Sequence, residues 1–464
     1  MASRRLKKAA LVALAPLALL ALLSRSLSAQ TLPPDPLQDA ACLGLNTVWY
    51  VEHGYTEPDA VLPTVAPAQI ERRPSVVTSE MATRPVLDPA AYLPLVHVAP
   101  KREARALWIT RWDYSSVTDV QNLVANAAAA GFNMLFFQVR GNADAFYTPG
   151  LEPWAARLSG QLGQHPGWDP LQVAVEAAHA HGLELHAYLN VYPVWLGQTV
   201  PAHTQPEHLF WALSYRYNWA DWRVADSTGQ PMNLNDNYLW ATPALSDVAD
   251  RLIAVSVDIA TRYAVDGVHL DLVRYPGPQY SYDPFSNAGY QAARAQDPTL
   301  TRADWQRDQI TLLVGRAQSA LRQVRPRLRL TAAVWPVYQD RWGWRYSQGY
   351  SDYYQDSHRW AQERLVEAIV PMIYPARFED LDSVFTKAQF STLVSDFMTH
   401  ADAQRVYPGI SAQYGSFTEI AERIAIARSM GTLGHAIFSA RLIDERDYWD
   451  EFAAGPYAWP ARVP

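Results

Sequence analysis

The chain has 464 residues, of which 49% are hydrophobic, 12% aromatic and 18% charged, enough apolar material for one large domain or two medium ones. Its formal net charge of −7 argues against nucleic acid as a partner, since an acidic protein gains nothing from a phosphate polyanion. The single cysteine, Cys42, excludes an intrachain disulfide and a cysteine-based metal cluster.

Residues 1–29 have the layout of a secretory signal peptide. Four basic residues precede the apolar run Ala9–Leu23, and small residues offer a cleavage point near Ala29. About fifteen apolar residues are short for a membrane span, which needs ~20, so an uncleaved anchor is the weaker alternative. Cleavage removes five positive charges and takes the net charge from −7 to −12. We expect a secreted or cell-envelope protein with no stable membrane insertion after cleavage. Its oligomeric state stays open.

Residues 30–100 contain eleven prolines and no long helical period, which predicts an extended Pro-rich leader. Residues 101–455 then carry a regular alternation of apolar runs and amphipathic stretches, and 456–464 form a C-terminal tail. The predicted strands lie within 105–110, 134–139, 184–191, 267–273, 329–335, 368–374, 405–411 and 434–440.

The stretches between these runs have helix-end signals. One helix is expected from Asp169-Pro170 to Gly182, another from Thr242-Pro243, a third from Thr301 towards Arg325 and a fourth over 418–431. Eight strand–helix units over about 350 residues are typical of an α/β fold of the (β/α)₈ TIM-barrel class with long βα-loop insertions. A doubly wound open sheet is the alternative, but no Gly-rich phosphate loop follows the first strand.

Three long segments (141–168, 192–241 and 275–300) follow strands, so a barrel would gather them at its C-terminal face, where active sites lie. They are rich in tryptophan. These side chains would either stack on sugar rings or simply close the loops over the barrel. The tryptophans are Trp154, Trp168, Trp195, Trp211, Trp219, Trp222 and Trp240.

The strands alternate an apolar face with a face that becomes polar towards the C-terminal end. In "DGVHLDLVRYP" (266–276), Val268 and Leu270 oppose His269 and Asp271. A polar row inside a barrel costs desolvation and needs partners. The corresponding polar residues of the preceding strands are Gln138, Arg140, His186 and Asn190. Gln138 and Asn190 have a purely structural alternative, hydrogen bonding within the barrel. His186 is better explained as a packed layer residue and His269 as a residue that orients its neighbours.

Asp271 differs because a carboxylate at the mouth, beside Arg140 or Arg274, would be held ionised and directed at a ligand. A structural Asp–Arg pair is the alternative. Glycosidic hydrolysis needs a second carboxyl group or a substrate group. The candidates are Asp144, Glu152 and Asp340. Glu152 follows in "LEPW", where an aromatic neighbour would favour the protonated form that a general acid needs.

Several segments resemble the glycosyl-hydrolase-like family 10, exported bacterial barrel proteins that include peptidoglycan glycosidases. The similarity lies in "QVRGNADAFYTPGLEPWAARLSG", "HPGWDPLQVAVEAAHAHGLELHAYLNVY", "DGVHLDLVRYP", "DWQRDQITLLVGRAQSAL", "YSDYYQDSHRW" and "VEAIVPMIYP", in order across about 102–445. The resemblance implies that Asp271 is the catalytic carboxylate. Val191 in "LNVYP" stands where the family commonly has proline, and "MNLNDNY" stands where it often has "LNPG". These differences lie where a glycan would bind, so the resemblance implies the fold more strongly than the substrate.

These observations predict an exported glycoside hydrolase that acts on a polysaccharide, with the glycan strands of peptidoglycan as one candidate. Asp271 would be the nucleophile or electrostatic stabiliser, and Asp144 or Glu152 the proton donor. Gln138, Arg140, His186, Asn190, His269, Arg274, Tyr275, Trp335 and Tyr374 would line the substrate site.

The alternative is an inactive glycan-binding protein on the same scaffold, which gains weight because the second carboxylate is not obvious. A metal-dependent hydrolase is weaker because "LWITRW" has no His-x-His, so no metal or cofactor is expected.

Overall fold

The structure is a computed structural model that describes residues 101–464 except 378–379 and 402–404. The predicted signal peptide (1–29) and leader (30–100) lie outside the described residues. None of the helices in the described part of the chain has the length and apolar content needed to cross a lipid bilayer.

Eight parallel strands close into a barrel, which confirms the predicted TIM-barrel fold and excludes the open sheet. In barrel order from the first predicted strand they are β2 (Ala104–Ile109), β3 (Met134–Arg140), β4 (Glu184–Asn190), β7 (Gly267–Asp271), β8 (Arg329–Val334), β9 (Ala368–Ile373), β12 (Gly409–Ser411) and β13 (Gly434–Phe438). Each falls within a predicted apolar run or extends it by one residue.

The remaining strands form small ladders outside the barrel. β1 (Lys101–Arg102) pairs with β14 (Ala461–Arg462), β5 (Pro193–Gly197) with β6 (Asn235–Trp240), and β10 (Pro375–Arg377) with β11 (Asp380–Val384). The β5–β6 hairpin gives the long 192–241 insertion a framework of its own at the C-terminal end of β4.

Helices follow the strands and cover the barrel. They are α1 (Val117–Ala129), α2 (Ala156–Ser159), α3 (Pro170–Ala180), α4 (Leu209–Arg216), α5 (Ser246–Arg262), α6 (Pro284–Gln296), α7 (Arg302–Val324), α8 (Gly349–Asp352), α9 (Ser357–Gln362), α10 (Lys387–His400), α11 (Phe417–Ser429), α12 (Ala440–Glu445) and α13 (Trp449–Ala454).

Two of the predicted helix starts are confirmed by side-chain caps. Asp169 accepts the Gln172 N–H before α3, and Thr301 accepts the Asp304 N–H before α7. The start predicted at Thr242 is wrong, because α5 begins at Ser246. The buried Thr242 hydroxyl instead lies 3.1 Å from the Ser286 hydroxyl and ties the strand–helix connection to α6.

Strand alternation divides the core into two layers. Leu135, Phe137 and Leu270 pack under the helices in the outer layer, as predicted. Phe136 and Tyr188 point into the barrel, where they join Trp108, Tyr374 and Phe438 in the inner layer. The interior of the barrel is therefore filled largely by aromatic rings, which leaves little room for water below the mouth.

The predicted C-terminal tail (456–464) packs on the N-terminal end of the barrel. Tyr457 is buried, its hydroxyl lies 2.7 Å from His435 Nε2, and the Arg105 guanidinium lies 4.6 Å from its ring centroid. The Glu103 N–H also donates to the Arg462 carbonyl at 2.8 Å. This segment therefore covers the base of the barrel.

We expect Tyr457→Ala to lower the free energy of unfolding by about 3–5 kcal/mol, the usual cost of deleting a buried aromatic ring. Trp459, two residues away and 80% exposed, supplies the control, since Trp459→Ala should cost little. Urea titrations followed by circular dichroism would measure both. Equal effects of the two variants would contradict the packing described for this segment.

Candidate active site

Asp271 ends β7 at the mouth of the barrel and is only 2% exposed. The Tyr188 hydroxyl, from β4, donates to its Oδ2 at 2.8 Å, and the Leu272 N–H donates to Oδ1 at 2.6 Å. Leu272 itself has a φ of 50°, in the left-handed region that a branched residue rarely adopts. A strained residue directly after a buried carboxyl group is a feature that clusters at functional sites.

Burial dominates the electrostatics of this carboxyl group. It raises the pKa of Asp271, while the Arg274 charge and the hydrogen bonds from Tyr188 and Leu272 oppose the rise without cancelling it. The expectation that an arginine simply holds Asp271 ionised is thus only half met. The charge of Asp271 in turn adds to the burial that raises the pKa of Tyr374.

Arg274 lies within a buried aromatic frame. Its guanidinium carbon is 5.3 Å from the ring centroids of Trp335 and Tyr353 and 5.7 Å from that of Trp240. Trp335 is held in turn, because its indole N–H donates to the Ser347 carbonyl at 2.7 Å. Cation–π contacts of this kind hold the guanidinium in place, and its charge acts to lower the pKa of Asp271.

A chain of amide hydrogen bonds crosses the mouth from β2 towards β7. The Arg111 N–H donates to Gln138 Oε1 at 3.0 Å, and Gln138 Nε2 donates to Asn190 Oδ1 at 3.3 Å. Asn190 is the register partner of Asp271 on the neighbouring strand. Gln138 is thereby occupied within the protein, as its structural alternative predicted.

Two buried donors near Asp271 have no hydrogen-bond partner in the described part of the chain. They are Nδ2 of Asn190 and the hydroxyl of Tyr374. Buried polar atoms are normally satisfied, so such exceptions point to a missing ligand or water. A polyhydroxylated ligand would supply the acceptors.

The two predicted histidines lie deeper in the barrel. His269 stacks on Phe136 at 3.9 Å, its Nε2 is 3.2 Å from the indole nitrogen of Trp108, and burial keeps its pKa well below the usual value. It contacts Tyr188 edge-on and so reaches Asp271 only through that ring. His186 fills the space over Gly267, where an added Cβ would approach its ring to 2.5 Å.

Arg140 and Glu152 form a buried bidentate ion pair. Arg140 Nε and Nη2 donate to the two Glu152 oxygens at 2.8 and 2.9 Å, and Nη1 donates to the carbonyls of Asn190 and Val191. Both oxygens of Glu152 are therefore occupied by one cation, an arrangement that ties the loop after β3 to the end of β4. This geometry argues against the predicted proton-donor role of Glu152.

Asp144 remains available for chemistry. The N–H groups of Gly141 and Asn142 both donate to Oδ1, at 3.2 and 2.8 Å, whereas Oδ2 accepts no hydrogen bond from any described residue. Burial raises its pKa, although the Arg111 charge opposes the rise. Ala143 just before it has a φ of 57°, so both candidate carboxylates adjoin a residue in the left-handed region.

Two other predicted residues follow β7 and β8. Asp340 accepts the backbone N–H groups of Trp342 and Trp344 at 3.2 and 3.1 Å and so builds a turn after β8. Tyr275 is fully buried and packs edge-on against Tyr354 at 5.2 Å.

Asp113 is a carboxyl group that the sequence did not single out. It follows β2, and its oxygens accept the N–H and the hydroxyl of Thr110 at 2.9 and 2.6 Å. Burial raises the pKa of Asp113 to about 7 against these hydrogen bonds and the Arg157 charge. Its only local signal is the Thr-x-x-Asp spacing in "TRWD", which also occurs in ordinary turns.

The tryptophans of the long loops mostly close those loops. Trp154, Trp222 and Trp240 are buried, whereas Trp219 is 47% exposed with the Arg223 guanidinium 4.0 Å from its ring centroid. Trp168, Trp195 and Trp211 are half-buried and pack against the core, so six of the seven side chains follow the loop-closing alternative.

Residues 103–413 match the family described as Glycosyl hydrolase-like 10. "Glycosyl hydrolase YngK" of Bacillus subtilis (strain 168) is 25% identical over 297 residues, 59% of this chain and 54% of that protein. "Glycosyl hydrolase DigH" of Escherichia coli (strain K12) is 28% identical over 265 residues, 53% of this chain and 55% of that protein. The chain thus spans about half the length of these curated relatives.

Solved structures agree on the fold. The glycoside hydrolase domain of PgaB (BpsB) from Bordetella bronchiseptica superposes with a TM-score of 0.55 at 12% identity, over 75% of this chain and 97% of that chain. The catalytic domain of beta-amylase from Paenibacillus polymyxa superposes with a TM-score of 0.52 at 11% identity, over 74% and 94%. At these identities the likeness establishes the barrel only.

We expect Glu152→Gln to lower the free energy of unfolding by about 3–5 kcal/mol, because it leaves the buried Arg140 without its counter-charge. Chemical denaturation measures this effect. A variant as stable as the wild type that has lost only activity would contradict the structural role of Glu152.

The raised pKa of Asp113 predicts a pH-dependent stability. The unfolded chain loses this proton near pH 4 and the folded chain near pH 7, so rising pH should destabilise the fold across that window. Asp113→Asn should remove this decline in urea titrations at pH 4–8. Exposed Asp297, whose pKa the Thr299 hydroxyl lowers, is the control: it titrates below about pH 4, so the wild-type/Asn difference at this site should be flat across pH 4–8. A wild-type curve parallel to that of Asp113→Asn would contradict the assignment.

Proposed function

The chain belongs to the glycosyl hydrolase-like 10 family, and on that premise we propose that it is an exported glycoside hydrolase that cleaves a polysaccharide at the mouth of its barrel. The observation that carries the proposal is the buried Asp271 carboxyl group at the end of β7, beside its register partner Asn190 and in electrostatic contact with Tyr374. Both of these residues have a buried donor without a hydrogen-bond partner among the described residues. A sugar has a ring of hydroxyl acceptors for these donors, and its reacting carbon develops the positive charge that a carboxylate stabilises.

Asp271 acts in this proposal as the nucleophile or the electrostatic stabiliser of the positively charged transition state. Hydrogen bonds from the Tyr188 hydroxyl and the Leu272 N–H, one to each oxygen, orient the carboxylate. Because the site is desolvated, the charge of Asp271 interacts more strongly with the substrate than it would in water. A bound sugar that develops positive charge would also favour the ionised form that burial disfavours.

Asp144 is the proposed proton donor to the leaving oxygen. Its raised pKa favours the protonated form that a general acid needs, and its Oδ2 is not committed to a partner in the described residues.

The substrate is proposed at two levels. The family and the names of the curated relatives support a carbohydrate. The glycan strands of peptidoglycan are the first substrate to test, since the resemblance and the signal-peptide-like N-terminus suggest action in the cell envelope.

A glycan-binding protein without activity is the second candidate function. It is favoured by one observation, the ion pair with Arg140 that removes Glu152 from the carboxyl groups able to donate a proton.

We expect the wild type to release soluble sugars from purified peptidoglycan glycan strands or from a member of a polysaccharide panel. Asp271→Asn should lose at least about 100-fold of this activity while keeping its fold and its binding. Asp226→Asn, at a partly exposed site in the 192–241 insertion, is the control. Equal release by wild type and Asp271→Asn would contradict the role of Asp271. Tight binding without release on every substrate would favour the binding protein.

A further inference from the structure

Three potential metal ligands meet between α9 and α10, in the helical layer outside the barrel. They are His358 of α9 and, one helical turn apart on α10, Asp396 and His400. One ligand atom from each lies within 4.8 Å of the other two, and His358 and Asp396 are buried. His358 comes from a different helix than Asp396 and His400, so sequence spacing gave no hint of the complete cluster.

Two atoms of the cluster have no hydrogen-bond partner within the described ranges, although both are buried. They are Nε2 of His358 and Oδ2 of Asp396, 3.7 Å apart. The Nδ1–H of His400 donates to the Asp396 carbonyl at 2.8 Å, which leaves the lone pair of His400 on Nε2. The unpartnered atoms and this lone pair are the groups that coordinate a cation.

We propose that His358 Nε2, an Asp396 oxygen and His400 Nε2 form a binding site for a divalent transition metal, with Zn²⁺ as the best match. Two imidazoles and one carboxylate suit Zn²⁺, whereas Ca²⁺ and Mg²⁺ prefer oxygen ligands throughout. The adjoining groove of about 540 Å³, lined by Trp342, Ser395 and Thr399, admits water as a fourth ligand.

The Arg341 guanidinium contacts two of the three proposed ligands. Its Nη1 lies 3.3 Å from Asp396 Oδ1 and 3.4 Å from His400 Nε2, so the guanidinium competes with a metal for two of the three ligands. The Arg341 side chain is 46% exposed and can swing into solvent. The ring planes of His358 and His400 are nearly parallel at a centroid distance of 4.7 Å, so His400, 30% exposed, must also turn to direct Nε2 at a shared ion.

The site would act on stability and leave the chemistry at Asp271 unchanged. A metal there joins the helices that follow the fifth and sixth barrel strands and satisfies two otherwise unpaired buried atoms. Any ligand that binds only the folded state stabilises it. The inference is independent of the proposed glycosidase activity, because its readouts are binding and melting temperature.

The test is calorimetric titration of the EDTA-treated, dialysed full chain with Zn²⁺ alone, with melting temperatures measured in parallel. We expect one equivalent to bind and the melting temperature to rise by about 3 °C at 100-fold excess over Kd. His400→Gln, at a half-buried position, should weaken binding at least about 100-fold, since even outer-shell changes cost about 10–100-fold. Arg341→Gln should tighten it, because a competing cation is removed.

His181→Gln, at an exposed site after α3, is the matched control and should bind Zn²⁺ like the wild type. The proposal fails if the wild type binds no equivalent, or if His400→Gln and His181→Gln bind equally well, which would indicate surface histidines. Unchanged or weaker binding by Arg341→Gln would refute the competition. His358→Gln, checked by circular dichroism, tests the buried ligand.

Discussion

The desolvation of one carboxyl group, that of Asp271, governs the arrangement at the barrel mouth. A carboxylate removed from water must be compensated by hydrogen bonds or charge. Here the compensation is incomplete. Tyr188, the Leu272 N–H and Arg274 lower the pKa of Asp271, but burial raises it by more. The aromatic frame holds the Arg274 guanidinium in place, and Leu272, directly after the carboxyl group, has a left-handed backbone. A substrate that develops positive charge can then supply the stabilisation that the protein leaves out.

The polar groups near the mouth are of two kinds. Some pair with one another, and others have a buried donor without a hydrogen-bond partner among the described residues. Arg140 and Glu152 satisfy each other and fix the loop after β3, which carries Asp144. Asn190 and Tyr374, by contrast, each retain a buried donor without a partner in the described residues. The paired groups fix the loops around the site, and the unpaired donors are left to bind a ligand, as expected of a preorganised site.

The fold and the position of Asp271 could be predicted from the sequence because both follow from local periodicity. Strand alternation placed Leu270 under the helices and Asp271 at the mouth, and the Asp169-Pro170 cap fixed the start of α3. The partners of polar side chains could not be predicted, since they depend on how loops fold over the barrel. For this reason the sequence predicted Glu152 as a proton donor, and it gave no sign of the burial that raises the pKa of Asp113.

The most direct test of the central claim is a crystal structure of the Asp271→Asn variant with a bound oligosaccharide of the cleaved polysaccharide. The account predicts a sugar ring across the mouth, with its anomeric carbon next to residue 271 and its hydroxyls on Asn190 Nδ2 and the Tyr374 hydroxyl. A glycan bound elsewhere on the chain, with no sugar atom near residue 271, would contradict it.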